Sequence, residues 1–144
     1  MSGAVAHPSP HRDRAGIMEQ MFAVFGGPAA WVTQLIVNYA FASFTCYPRV
    51  SPRTSVVPGW GGIWDGLLAL NLIAIVVALA AAWAGLRVWQ ATRGEGGGAS
   101  GEVLELAEGR TRFLGIIGIM TGLYFLSAVV FDTIALFLVP QCIG

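Results

Sequence analysis

Three long apolar stretches constrain this chain more than any other feature of its sequence. The clearest runs from Ile63 to Leu86 with Asp65 as its only charged residue, and another runs from Phe113 to Val139 with Asp132 as its only charged residue. A helix rises about 1.5 Å per residue, so about 20 apolar residues cross the ~30 Å hydrocarbon core of a bilayer. The composition agrees, because 11% charged residues cannot cover a soluble domain, which normally has about 25%. Each stretch therefore predicts a transmembrane helix.

The remaining apolar stretch, residues 17–45, contains Gly26, Gly27 and Pro28. Proline lacks a backbone N–H and crowds the preceding turn, so the sequence predicts a break at 26–28, either a kink or a new helix start. A cleaved signal peptide is the competing interpretation, but the stretch is long and two more spans follow it. The predicted fold is an all-α integral membrane protein: a polar tail at residues 1–15, then a three-transmembrane-helix bundle at 16–144 with spans at about 17–45, 63–87 and 112–139.

The connections between the spans predict the orientation in the membrane. Loops rich in Lys and Arg stay in the cytoplasm, and six arginines lie in or beside the N-terminal tail and the second connection, against two in the first connection. The N-terminus is therefore predicted in the cytoplasm and the C-terminus in the periplasm of a bacterial inner membrane. Residues 92–101 are Gly-rich and predict a flexible linker. Residues 102–112 have acids early and arginines late, which predicts a short amphipathic helix before the third span.

Several kinds of catalytic or cofactor site are excluded by what the sequence lacks. Both histidines, His7 and His11, precede the spans, so no span offers imidazoles to a haem or a copper ion. For the same reason no histidine reaches the membrane serines, Ser43 and Ser127, as a serine hydrolase would need. No haem-attachment, nucleotide-binding or zinc-site spacing occurs, and no basic cluster suits nucleic acid. We therefore expect no catalytic residue, no cofactor and no metal, and a protein that is not an enzyme.

Four polar side chains are predicted to form a buried polar layer. Asn38, Asn71 and Asp132 each lie seven or eight residues from the outer end of a predicted span, about 10 Å inside the boundary. Gln34 lies one turn from Asn38 on the same face of its helix. A carboxyl group at this depth is costly and usually faces the bundle interior or a wet cavity. Hydrogen bonding that fixes the packing is the favoured role, and a proton or ion relay and a contact with a partner subunit are the alternatives.

Glycines in the third span predict close helix packing. Gly115, Gly118 and Gly122 lie near one another, and the last two form a Gly-x-x-x-Gly motif. Such motifs let helix backbones approach closely in lipid. Chance spacing is the alternative, because the chain has 19 glycines.

The two cysteines, Cys46 and Cys142, follow the outer ends of the first and third spans. In an oxidising periplasm such a pair usually closes into a disulfide. The closed loop would span nearly the whole chain and contribute ~4.7 kcal/mol in the chain-entropy model, less in lipid because insertion already restrains the unfolded chain. A copper(I) site formed by the two thiolates and a pair of unpaired thiols are the alternatives.

Four short motifs carry a resemblance to a known group of proteins. They are Gly26-Gly27-Pro28-Ala29-Ala30-Trp31 with Gln34, Tyr39-Ala40-Phe41-Ala42-Ser43 with Cys46 and Pro48, Glu108-Gly109-Arg110-Thr111-Arg112-Phe113-Leu114, and Val139-Pro140-Gln141-Cys142-Ile143-Gly144. As a set they resemble the small three-span membrane proteins of proteobacteria that accompany haem–copper cytochrome oxidase and oxidase-assembly proteins. The resemblance covers residues 17–144, and Asp132 is not part of its pattern.

The resemblance implies a respiratory association. The expected function is a non-catalytic subunit or assembly partner of a respiratory complex, in particular a haem–copper terminal oxidase, whose partners are membrane lipid and a larger membrane protein complex. The alternative is a small oligomeric transporter or channel component that uses the buried polar layer. Three helices alone make a poor pore, so this alternative requires self-association.

Overall fold

A computed structural model of the chain describes residues 15–46, 62–92 and 110–139. These residues form three helices, α1 (Ile17–Cys46), α2 (Ile63–Ala91) and α3 (Arg110–Leu138), with no strand in the described ranges. All three are long and apolar enough to cross a membrane. The prediction of an all-helical chain with three spans of membrane-crossing length is confirmed.

The ends of the helices differ from the prediction by a few residues. α2 continues to Ala91 and is closed by Thr92, whose backbone N–H and hydroxyl both donate to the Val88 carbonyl oxygen, at 3.2 and 2.9 Å. α3 begins at Arg110. The short amphipathic helix predicted before the third span is not supported, because Arg110 to Arg112 belong to α3 and residues 102–109 lie outside the described residues. The polar tail up to residue 14 and residues 93–101 of the predicted linker also lie outside them.

α1 runs through Gly26, Gly27 and Pro28 without ending, so of the two forms predicted for the break at 26–28 the new helix start is wrong, and the kink stays a prediction. Proline leaves the carbonyl four residues earlier, that of Val24, without its helical donor. The Thr121 hydroxyl of α3 lies 3.5 Å from this oxygen and also 2.9 Å from the Ile117 carbonyl oxygen of its own helix. Transmembrane helices tolerate proline where a neighbouring Ser or Thr can satisfy the freed carbonyl. The Thr121 hydroxyl of α3 therefore partly replaces the hydrogen-bond donor that Pro28 removes from α1.

The helices alternate in direction. The Glu19 carboxylate near the start of α1 lies 3.7 Å from the Arg87 guanidinium near the end of α2, and Gly115 near the start of α3 packs against Trp89. These residues share one end of the bundle, called here the Glu19 end; Cys46, Asp65 and Leu138 mark the opposite Cys46 end. The Glu19–Arg87 pair contributes little to stability, because the arginine side chain is 67% exposed.

Towards the Glu19 end the core consists of glycine and alanine. The buried small residues are Ala23, Gly26 and Gly27 of α1, Ala78, Ala81, Ala84 and Gly85 of α2, and Gly115, Gly118 and Gly122 of α3. A Cβ atom added to Gly118 would lie 2.8 Å from the Ala23 Cβ, and one added to Gly122 would lie 2.8 Å from the Ala82 Cα. The three glycines predicted for helix packing thus lie where no larger residue fits. The backbones come this close because dispersion, rather than the hydrophobic effect, holds helices together in lipid.

Candidate functional site: a polar layer between the helices

Asn71 of α2 lies at the centre of a group of polar side chains between the three helices. Its side chain is fully buried. The Nδ2 amide donates to the Leu67 carbonyl oxygen one turn earlier, at 2.7 Å, and to the Asn38 Oδ1 of α1, at 3.2 Å. Both hydrogens of the amide therefore have acceptors. Buried polar groups in lipid need such partners, because no solvent can replace them.

The Oδ1 of Asn71 accepts from side chains of both other helices. The Gln34 Nε2 of α1 donates to it. The Thr133 hydroxyl of α3 lies 3.2 Å away and also lies 2.7 Å from the Val129 carbonyl oxygen of its own helix, so its single hydrogen is shared between these two acceptors. The Asn38 Nδ2 lies at 3.5 Å. One carbonyl oxygen thus joins donors from α1 and α3, which fixes the rotation of the three helices relative to one another at this depth.

Gln34 has a partner for only one end of its amide. Its side chain is fully buried, and its Nε2 also lies 3.5 Å from the Val129 carbonyl oxygen of α3. Its Oε1 has no hydrogen-bond partner among the described residues. Exchanging the two ends of the amide would bring the Gln34 oxygen against two other oxygens, so the assigned orientation is the favourable one. The layer therefore contains one buried acceptor that no side chain or backbone group of the described residues uses.

Asp132 is not hydrogen-bonded to the other three predicted members of the layer. Its Oδ2 instead accepts from the Trp31 indole N–H of α1 at 3.1 Å, and its side chain is half-buried. Consecutive residues of a helix point about 100° apart. Because Thr133 faces Asn71, Asp132 faces the groove between α1 and α3. Sequence reasoning missed Thr133, although its depth in the span, one residue from Asp132, was a signal that could have found it.

Two aromatic rings of α3 pack in a row beside Trp31. The Trp31 ring packs on Phe125 at a centroid distance of 5.5 Å, and Phe125 meets Tyr124 edge to face at 5.2 Å. Such pairs contribute about 0.5–1.5 kcal/mol each beyond the area that they bury. The packing against Phe125 therefore fixes the position of the indole N–H that donates to the carboxyl group.

Beside α1 and α2 lies an apolar groove of about 460 Å³. Its lining side chains are Phe22, Phe25, Ala29, Ala30, Thr33, Leu70, Ile73, Ala74 and Val77, together with Gly26. Thr33 is the only polar residue among them, so the lining of this groove is almost entirely apolar. No group of three or more His, Cys, Asp or Glu side chains in the described parts of the chain is arranged to hold a metal ion.

Of the two predicted disulfide residues, only Cys46 is described. It ends α1 and is 1% exposed. Cys142 lies outside the described residues, so the disulfide stays a prediction.

No protein-family model, curated protein or solved structure matches this chain. The fold and the site together define its class: a three-helix membrane bundle whose helices are joined by a buried amide and hydroxyl network.

Proposed function

We propose that this chain is a non-catalytic inner-membrane subunit or assembly partner of a respiratory complex, in particular a haem–copper terminal oxidase. One observation carries the non-catalytic part: the polar side chains between the helices bond to one another rather than lining a passage or grouping around a reacting centre. Such a layer holds a bundle in one arrangement, which suits a protein that presents a fixed surface to a partner. The choice of an oxidase rests on the motif resemblance, which spans residues 17–144.

A transporter or channel component is the second candidate. The observation that favours it is the Gln34 Oε1, a buried acceptor without a partner among the described residues. A water molecule, a proton donor or an ion could bind there. Against this role, the described helices pack closely between the layer and the Glu19 end, so a pore would have to form between copies of the chain.

The proposed location is a bacterial inner membrane, with the N-terminus in the cytoplasm and the C-terminus in the periplasm. The described arginines, Arg87, Arg110 and Arg112, all lie towards the Glu19 end of the bundle. The positive-inside rule then assigns this end to the cytoplasm.

Blue-native electrophoresis of native membranes tests the proposed function. We expect an epitope-tagged chain, solubilised in a mild detergent, to migrate with the haem absorbance of a terminal oxidase. The matched control is the same tag on an unrelated three-span protein, which should migrate separately from the oxidase band. Migration as a homo-oligomer without haem would support the transporter instead, and migration as a monomer would contradict both functions.

The disulfide is part of the same proposal, since it requires Cys46 and Cys142 to lie on the periplasmic side. Non-reducing mass spectrometry of protein purified with alkylated free thiols should yield one peptide pair that links the two cysteines. Cys46→Ser should release Cys142 as an alkylated thiol and serves as the control. Two alkylated thiols in the unaltered protein would contradict the disulfide, and with bound copper they would support the copper(I) site instead.

A further inference from the structure

The Asp132 carboxyl group is incompletely satisfied for its depth in the membrane. The Trp31 indole contacts one of its two oxygens, and this is its only hydrogen bond among the described residues. Its side chain remains partly exposed at the edge of the α1–α3 groove, within residues 113–139, which are otherwise uncharged. Acidic side chains in this setting are rare and usually pair with another polar or charged group.

The described part of the chain supplies no positive charge near this carboxyl group. Arg112, in the first turn of the same helix, lies 20 residues away, or about 30 Å along the axis. Arg87 lies towards the same Glu19 end and pairs with Glu19. A second copy in the same orientation would have these arginines at the same distant end. A complementary charge at this depth would come from another protein or from outside the described ranges.

The face of α3 beside Asp132 has a shape that suits another helix. Tyr124, Ala128, Phe131 and Ala135 recur at the spacing of one helix face, with large and small residues alternating. Tyr124 and Phe131 are 69% and 71% exposed. Small residues between large ones let a neighbouring helix approach closely.

We propose that this face, defined by Tyr124, Ala128, Phe131, Asp132 and Ala135, binds a transmembrane helix of a partner protein that places an Arg or Lys side chain against Asp132. The inference rests on the proposed function and adds the chemistry of the partner. Trp31 holds the carboxyl group in place, and the basic side chain of the partner contacts the oxygen that Trp31 leaves free. The fixed carboxyl group sets the register between the two proteins.

Photo-crosslinking in native membranes tests this proposal. A photoreactive benzoylphenylalanine in place of Phe131, which is 71% exposed, should capture a transmembrane peptide of another protein, and mass spectrometry should identify in it an Arg or Lys at the depth of Asp132. Asp132→Asn should lower the cross-link yield at least about tenfold, because it removes one partner of a buried charge pair, while Asp132→Glu should largely retain it. Asp65→Asn, which neutralises an exposed carboxyl group of α2, is the matched control and should leave the yield unchanged.

A charge exchange separates pairing from loss of folding. Asp132→Lys should abolish the cross-link, and an Asp at the identified basic position of the partner should restore it. A captured peptide without a basic residue, a peptide of this chain including Arg49 or Arg53, or a yield indifferent to Asp132→Asn would each overturn the inference. If the unaltered chain forms a complex on native gels while the cross-link yield does not depend on Asp132, the proposed function stands and this inference alone fails. If the unaltered chain captures no protein and migrates as a monomer, both fail.

Discussion

Replacing Gly85 with leucine is expected to prevent α2 and α3 from packing together. A Cβ atom at this position would lie 2.7 Å from the Ile119 backbone nitrogen and 2.8 Å from the Gly118 carbonyl carbon. Backbone atoms cannot rotate away, so the helices must separate and lose contacts along their length. Overpacking of a core typically costs about 1–3 kcal/mol. We expect Gly85→Ala to cost about that much and Gly85→Leu to cost more.

Reversible unfolding of the purified protein in mixed micelles, followed by tryptophan fluorescence, measures this effect. The matched control is Gly66 on the same helix, because a Cβ there would meet nothing within 4 Å. Gly66→Ala and Gly66→Leu should leave the free energy of unfolding within about 0.5 kcal/mol of the unaltered protein. Gly27→Ala should lie between the two, since its Cβ would approach the Gly122 Cα at 3.4 Å. Equal stability of Gly85→Leu and Gly66→Leu would refute the close approach of α2 and α3.

Replacing Asn71 with leucine is expected to lower the free energy of unfolding by about 2–4 kcal/mol. Interhelical hydrogen bonds in a membrane protein average about 0.6 kcal/mol each, and Asn71 joins Gln34, Asn38 and Thr133. A buried donor left without its acceptor adds about 1–3 kcal/mol. The fully buried Gln34 amide is such a donor in this variant. The same micelle unfolding experiment measures the loss.

Two further variants test whether unsatisfied partners cause this loss. Asn38→Leu removes a half-buried member and should cost about 1 kcal/mol. Replacing Gln34, Asn38 and Asn71 together with leucine, and Thr133 with valine, should cost less than Asn71→Leu alone, because no buried donor remains unpaired. If the fourfold variant is the least stable of the set, the hydrogen bonds of the layer add to the free energy of unfolding, rather than only selecting one arrangement of the helices. If it folds, joins the respiratory complex and keeps its proton-coupled activity in the native membrane, the relay hypothesis is wrong for these four side chains.

Much of the architecture follows from the sequence because lipid imposes simple requirements. A span must be about 20 apolar residues long, so the positions of α1, α2 and α3 could be predicted to within a few residues. The depth of a residue follows from its distance to the end of its span, which is why Asn38 and Asn71 could be predicted to lie at one level, with Gln34 one helical turn further in. Gly115, Gly118 and Gly122 could likewise be predicted to lie where helices meet, whereas the small residues of α1 and α2 that face them were not predicted.

The rotation of each helix about its axis was decided only by the tertiary structure. In water the apolar face of a helix marks its buried side, but here both the lipid-facing and the buried faces are apolar, and hydropathy does not distinguish them. Depth alone predicted that Asp132 would lie in the polar layer. The rotation of α3 instead brings Thr133 to Asn71 and directs Asp132 towards Trp31. The continuity of α1 through Pro28 was likewise decided by the tertiary structure. The Thr121 hydroxyl of α3 lies 3.5 Å from the Val24 carbonyl oxygen that Pro28 leaves without its helical donor, and no local property of the α1 sequence contains that contact.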